Sequence, residues 1–302
     1  MNRHLMVGLE GAVLSADERR MLRDKPPLGV ILFARNIESP EQVRALLDEA
    51  RQAAGSDLWA AIDEEGGRVN RIPWPPFAGR HPAAYFGEML ERDPVAAWQA
   101  VYQDNLSMGT ALAKLGFTHN CAPVLDLFHP DGHGIIGARA YSSDVFTVAR
   151  LGDACRQGLH DGGIAAVGKH FPGHGRANAD SHVAVPQLNV PLDILLREAQ
   201  SFARLIEAGI QHIMTAHVIY SEADNRVATF SPFWLADVLR TRFAFSGRIW
   251  SDDLSMKGAG GDTRAAAVAA REAGCDVLLV CEPADVREIY ESLWMVMLGS
   301  DA

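Results

Sequence analysis

Short apolar runs recur along the chain. Each ends in glycines or charged residues and is followed by a longer stretch with apolar positions three and four apart. The runs are Leu5–Leu9, Leu28–Phe33, Leu58–Ile62, Thr118–Leu125, Ile164–Val167, His212–His217, Gly247–Asp252 and Cys275–Cys281. Their length and apolar character predict buried strands. Helices are predicted between them. Ser15-Ala-Asp-Glu18 has capping-box spacing, and Ser39 opens a helix to about Ala54 with Pro40 in its first turn and Val43, Leu46 and Leu47 on one face. Further helices are predicted over Pro94–Leu115, Asp144–His160 (capped by Asp161-Gly-Gly163), Leu192–Ala208, Pro232–Phe243, Thr263–Ala273 and from about Ala284. Eight strands alternating with helices suit right-handed parallel crossovers and predict α/β architecture, a single (β/α)8 TIM-barrel domain over residues 1–302. An open doubly wound sheet competes. However, no GxGxxG turn follows the first strand, and polar residues follow strand after strand around the whole chain.

Charge narrows the partners. The formal net charge of −10, with no Lys/Arg-rich run, argues against nucleic acid. Met1–Glu10 has no continuous apolar stretch of signal type and no later segment has membrane-spanning length, so a cytoplasmic protein without a membrane partner is expected. Cys121, Cys155, Cys275 and Cys281 are far apart without CxxC spacing, which predicts reduced core residues.

The candidate chemistry centres on 164–182, where an apolar strand runs into Lys169, His170, His174, Asp180 and His182 among glycines and a proline. One such histidine alone is ordinarily solvated or bonded to backbone; the cluster favours a chemical site. Asp63 ends the third strand and precedes Glu64-Glu-Gly-Gly-Arg-Val-Asn-Arg71, where Asp63 and Arg71 are placed to hold a ligand from two sides; a solvated acidic loop is the alternative. Arg139 lies beyond Ile135-Ile-Gly137, and the seventh strand terminates at Asp252 and Asp253. In a barrel, Asp63, Arg139, Lys169, His170 and Asp252 would meet at one face. A strand-end Asp facing a His held by a carboxylate is equipment for cleaving a glycosidic bond, with Asp180 and His182 as the proton-donating pair and Asp63, Arg71, Arg139, Lys169 and His170 binding hydroxyls. A zinc hydrolase using His170, His174 and His182 is a rival. No HExxH helix is present, and Pro172 and Gly173 break any helical register. A non-catalytic sugar-binding barrel is a second rival.

Lys169-His-Phe-Pro-Gly-His-Gly175, Ala179-Asp-Ser-His182, Asp63-Glu-Glu-Gly-Gly-Arg-Val69 and Ser251-Asp-Asp-Leu-Ser-Met256 together resemble the bacterial β-N-acetylglucosaminidases of glycoside hydrolase family 3, in the same order and over nearly the whole chain. The resemblance implies a retaining exo-β-N-acetylglucosaminidase with Asp252 as nucleophile, and His182 as general acid/base with Asp180 as its partner. It further implies that Asp63, Arg71, Arg139, Lys169 and His170 bind the N-acetylglucosamine unit. Implied too are a muropeptide or disaccharide substrate such as GlcNAc-1,6-anhydroMurNAc in cytosolic peptidoglycan recycling, and no metal or cofactor; a monomer is expected. A phosphorylase or another β-glycosidase of the family is the near alternative, and Asp253 is the rival nucleophile. Glu64 stands where Gln is common in the family, and the chain is shorter after the eighth strand than many relatives.

Overall fold

The computed structural model describes residues 4–181 and 185–288. In chain order the elements are β1 (Leu5–Gly8), α1 (Ala16–Asp24), β2 (Gly29–Leu32), α2 (Pro40–Ala54), β3 (Trp59–Ile62), α3 (Ala83–Arg92), α4 (Pro94–Leu115), β4 (His119–Asn120) and α5 (Val145–Asp161). They continue as β5 (Ala165–Phe171), β6 (Gln187–Leu188), α6 (Leu192–Glu198), α7 (Gln200–Glu207), β7 (His212–Thr215), β8 (Ile219–Tyr220) and β9 (Asp224–Val227). A π-helical segment (Phe233–Arg242), β10 (Arg248–Trp250), α8 (Thr263–Ala273) and β11 (Leu278–Val280) complete the described part, with helical residues again from 283 to 288.

Eight strands form one parallel sheet in the order β10-β7-β5-β4-β3-β2-β1-β11, and a parallel bridge between Trp250 and Val277 joins its two ends. This is the predicted TIM barrel, a closure that leaves no sheet edge exposed. Met6, Ile31, Ala61, Cys121, Val167, Met214, Trp250 and Leu279 fill its interior, while a larger apolar cluster lies between strands and helices. All four cysteines are buried with free thiols.

Local sequence accounts for the element ends. Ser15 and Glu18 form the reciprocal capping box of α1; Ser39 and Asp144 accept the N–H of Gln42 and Thr147 at the starts of α2 and α5. Asp93 caps α4, which ends at Gly116 with φ +98°, a left-handed conformation that favours glycine. α4 and α5 pack so closely at Gly158 that a Cβ there would stand 2.4 Å from the Tyr102 carbonyl.

Three expectations are corrected. The run Thr118–Leu125 yields only the two-residue β4, because Pro123 has no N–H to donate; pairing resumes where the Leu125 N–H donates to the Lys169 carbonyl at 2.6 Å. The fifth strand runs on to Phe171, so Lys169 and His170 stand on the barrel strand itself and not in the following loop. Their charge is tolerated there because acidic partners meet it. The helix expected over Leu192–Ala208 is two, α6 and α7, divided at Ala199. A small sheet, β6-β8-β9, follows the loop after β5 and has no counterpart among the predicted elements. Most of the helix expected from about Ala284 lies outside the described residues.

Candidate active site

The carboxyl ends of the barrel strands surround a cavity of about 290 Å³. Asp63, Arg71, Arg139, Lys169, His170 and Asp252 all line it, so six of the eight residues expected from sequence converge. Asp180 is in the described loop after β5 but does not line the cavity, and His182 lies outside the described residues.

Charge on one wall is organised around Lys169. Its Nζ is 2.6 Å from Asp63 Oδ1 and 2.7 Å from Glu65 Oε1, with the side chain only 3 % exposed. Arg139 closes the group with two parallel bonds to Glu65, Nε to Oε2 and Nη2 to Oε1, both 2.8 Å. Burial alone would push the Glu65 carboxyl up; Arg139 and Lys169 reverse this and hold it well below the carboxylate range. For Lys169, burial acts downward, but Asp63 and Glu65 raise it, so it stays an ammonium. Arg71 is held more loosely, its Nη2 3.8 Å from Asp63 Oδ2, and among the described residues its buried Nε has no partner. A guanidinium so placed has donors left for a ligand.

His170 is fixed from behind. Its Nδ1–H donates to Asp126 Oδ2 at 2.6 Å, which sets the tautomer and leaves Nε2 as the acceptor facing Arg139 Nη2 at 3.5 Å. The other Asp126 oxygen accepts the main-chain N–H of His170 at 3.3 Å and of His174 at 2.6 Å. Asp126 is fully buried; burial would raise its carboxyl, and His170 with the other donors brings it below its ordinary value. His174 Nε2 lies 3.1 Å from Ser181 Oγ, and Gly258 donates its N–H to the Ser181 carbonyl at 2.8 Å, so the loop bearing Asp180 is tied at Ser181 from two sides.

The two adjacent carboxylates beyond β10 differ. Asp253 Oδ1 accepts the N–H of Ser255 at 2.9 Å and of Cys281 at 3.0 Å, and burial raises its pKa. Asp252 lines the cavity. Burial acts upward on it as well, but His217, His170, the Asp253 amide and Lys169 outweigh that and hold it below the usual value. Both line the cavity; Asp252 accepts the N–H of Asp253 at 2.8 Å and its carboxyl is lowered, whereas Asp253 accepts two main-chain N–H groups and its carboxyl is raised. His217 Nε2–H donates to the Asp253 carbonyl at 3.0 Å, steadying the same turn.

Sequence reasoning passed over several wall residues. Glu65 bridges Lys169 and Arg139, and its only signal was its place two residues after a strand-end aspartate. Asp126, which lies behind the wall and supports His170, follows the fourth strand in sequence, where nothing marks that role. Phe33, Met214, Met256 and Leu279 form an apolar part of the wall and look in sequence like any core residues. Among the described residues no group of three or more His, Cys, Asp or Glu is arranged to hold a metal ion. A carboxylate held below its usual pKa shares the cavity with clustered charged donors and acceptors, an arrangement compatible with chemistry on a sugar carbon.

A sequence profile of the glycosyl hydrolase family 3 N-terminal domain matches residues 5–297. The β-hexosaminidase of Methylobacillus flagellatus is 43 % identical over 284 residues, covering 93 % of this chain and 81 % of that protein. The β-hexosaminidase of Methylococcus capsulatus is 42 % identical over 292 residues, covering 95 % and 86 %. The crystal structure of NagZ from Neisseria gonorrhoeae in complex with N-trifluoroacetyl-D-glucosamine superimposes with a TM-score of 0.89 at 35 % identity, covering 96 % of this chain and 85 % of that one. The chain belongs to glycoside hydrolase family 3 and is a glycoside hydrolase acting as a β-N-acetylhexosaminidase.

Proposed function

We propose that the chain removes non-reducing N-acetylglucosamine from peptidoglycan fragments such as GlcNAc-1,6-anhydroMurNAc and its peptides, with retention of configuration, in cell-wall recycling. The observation that carries this reading is an ionised Asp252 sharing one small cavity with Asp63, Lys169, Arg139 and His170. In the first step the Asp252 carboxylate attacks the anomeric carbon while the bond to the leaving oxygen breaks, and His182 gives that oxygen its proton. Asp180 favours the imidazolium and orients it. In the second step His182, now neutral, takes a proton from water as the water attacks the glycosyl ester, which frees the product sugar and restores the carboxylate. Asp63, Arg71, Arg139, Lys169 and His170 hold the sugar hydroxyls through directional charge-assisted bonds, of which the one accepted by Asp63 strengthens as the ring gains positive charge. The reading includes a monomeric cytoplasmic enzyme that needs no metal or cofactor; among the described residues no helix is long and apolar enough to cross a membrane.

Rates on GlcNAc-1,6-anhydroMurNAc and on chitobiose, measured in phosphate buffer, test the reading. The first should have the higher kcat/KM, with free N-acetylglucosamine as product. A preference for chitobiose would overturn the substrate, and release of a sugar 1-phosphate would overturn the hydrolytic step.

A further inference from the structure

A buried carboxylate that the chemistry above does not use shapes the segment from Asp63 to Ile72. Glu64 has no solvent exposure. Its Oε2 accepts the N–H of Arg71 at 2.8 Å and of Ile72 at 3.2 Å, and its Oε1 accepts from Asn70 Nδ2 at 2.5 Å. The main chain of Glu64 is gripped from the other side, where its N–H donates to Asn120 Oδ1 at 2.9 Å and its carbonyl accepts from Asn120 Nδ2 at 2.8 Å. One residue thus joins the end of β3, the strand β4 and the return of the loop at Arg71. The charged group acting on it is Arg80, paired with Asp104 on α4, whereas Asp63 and Glu65 on either side turn to Lys169. Asn70, Asn105 and Asn120 nearby do not titrate.

We propose that Glu64 is a positioning residue for sugar binding, its carboxylate folding 64–72 back on itself so that Arg71 stands beside Asp63 at the cavity. This rests on the reading of Asp63 and Arg71 as sugar-binding residues. Every hydrogen-bonding partner of the carboxyl is a donor, so the site is built for an acceptor on both oxygens. Gln is common here in the family, but beside Asn70 of this chain a glutamine would satisfy Arg71 and Ile72 with its carbonyl and set its amide against Asn70 Nδ2, donor on donor. Turning Asn70 over does not relieve this, because Nδ2 also donates to the Phe77 carbonyl at 2.8 Å. Protonation of Glu64 adds an O–H that finds no acceptor among these donors and weakens the oxygen carrying it as an acceptor for Asn70. Burial pushes its carboxyl up to about 7, against the pull of the Arg71 and Ile72 amides, Arg80 and Asn70, so the mismatch forms near neutral pH.

The test is calorimetric binding of N-acetylglucosamine, a neutral ligand with no group that titrates here, from pH 6 to 8.5. It uses the intact chain and the variants Glu64→Gln, Asn70→Ala and Asp63→Ala, with circular dichroism reporting the fold. At pH 8, Glu64→Gln should weaken binding roughly tenfold with the fold kept, as expected for one lost bond to a charged group. The unaltered chain should lose affinity toward that value as pH falls through 7, and Glu64→Gln should lack this inflection. Asn70→Ala removes a donor from the carboxylate and should move the inflection to higher pH; it decides the matter if Glu64→Gln fails to fold. Wild-type affinity in Glu64→Gln, an inflection retained in it, or an unmoved inflection in Asn70→Ala overturns the proposal. If Asp63→Ala meanwhile loses affinity, the sugar-site reading survives that failure; unchanged affinity in Asp63→Ala overturns both.

Discussion

Replacing Asp126 by Asn should damage sugar binding while sparing the fold. The carbonyl of the introduced asparagine must take the place of Oδ1, because that position accepts two main-chain N–H groups, from His170 and His174. The amide NH2 then replaces Oδ2, 2.6 Å from His170 Nδ1. That nitrogen must become the acceptor and the ring proton moves to Nε2, which faces Arg139 Nη2 at 3.5 Å, donor against donor. The change exchanges a charge-assisted bond of about 1.5–3 kcal/mol for a neutral one of about 1 kcal/mol and removes the acceptor that His170 offers the cavity. A net loss of about 2 kcal/mol corresponds to about 30-fold in kcat/KM. The assay is hydrolysis of 4-nitrophenyl N-acetyl-β-glucosaminide, alongside urea unfolding. Asp126→Ala is the control: it strips the acceptor from both amides and should cost about 3 kcal/mol of stability or more. Asp126→Asn with unchanged kcat/KM, or as unstable as Asp126→Ala, would refute the argument.

Other consequences can be checked as directly. His182→Ala should slow cleavage of glycosides with poor leaving groups far more than activated aryl glycosides, since only the former need a proton donor; equal slowing removes His182 from that role. Acid should destabilise the fold through His119, His174 and His212, which burial holds down to about 3, 4 and 4. Because the unfolded chain takes up these protons near pH 6.5 and the folded one does not, stability is full above that value and declines below it. The loss is about 2 kcal/mol per imidazole by pH 5, read as a falling urea midpoint. A flat midpoint from pH 7 to 5 would contradict this. Gly87→Ala should lower stability by about 1–3 kcal/mol without altering KM, because a Cβ there falls 1.7 Å from the Tyr141 carbonyl, and an unchanged thermal midpoint would show that α3 simply shifts.

The barrel was legible because its strands are short apolar runs buried on both faces, a pattern that survives without knowledge of partners. Lengths were harder. Pro123 cut the fourth strand for a reason visible in the sequence, whereas the fifth ran on through Lys169 and His170 because Asp63, Glu65 and Asp126 come from other strands to meet them. That pairing spans from 44 to more than 100 residues of chain, and no local pattern announces it. For the same reason the cavity-lining aspartates and cations were identifiable as strand-end chemistry, while Glu65 and Asp126 gained meaning only from their distances to other side chains. Motif position favoured Asp252 over Asp253 in the sequence; that Asp253 accepts the backbone amides of Ser255 and Cys281, the second 28 positions away, is seen only in the structure.

The central claim is that Asp252 forms the covalent bond to the sugar. Trapping with a fluorinated, activated N-acetylglucosamine donor, followed by peptide mass mapping, tests it most directly. The account predicts one glycosyl adduct, on Asp252, that disappears in Asp252→Ala; an adduct on Asp253, or none under conditions of full inactivation, would contradict it.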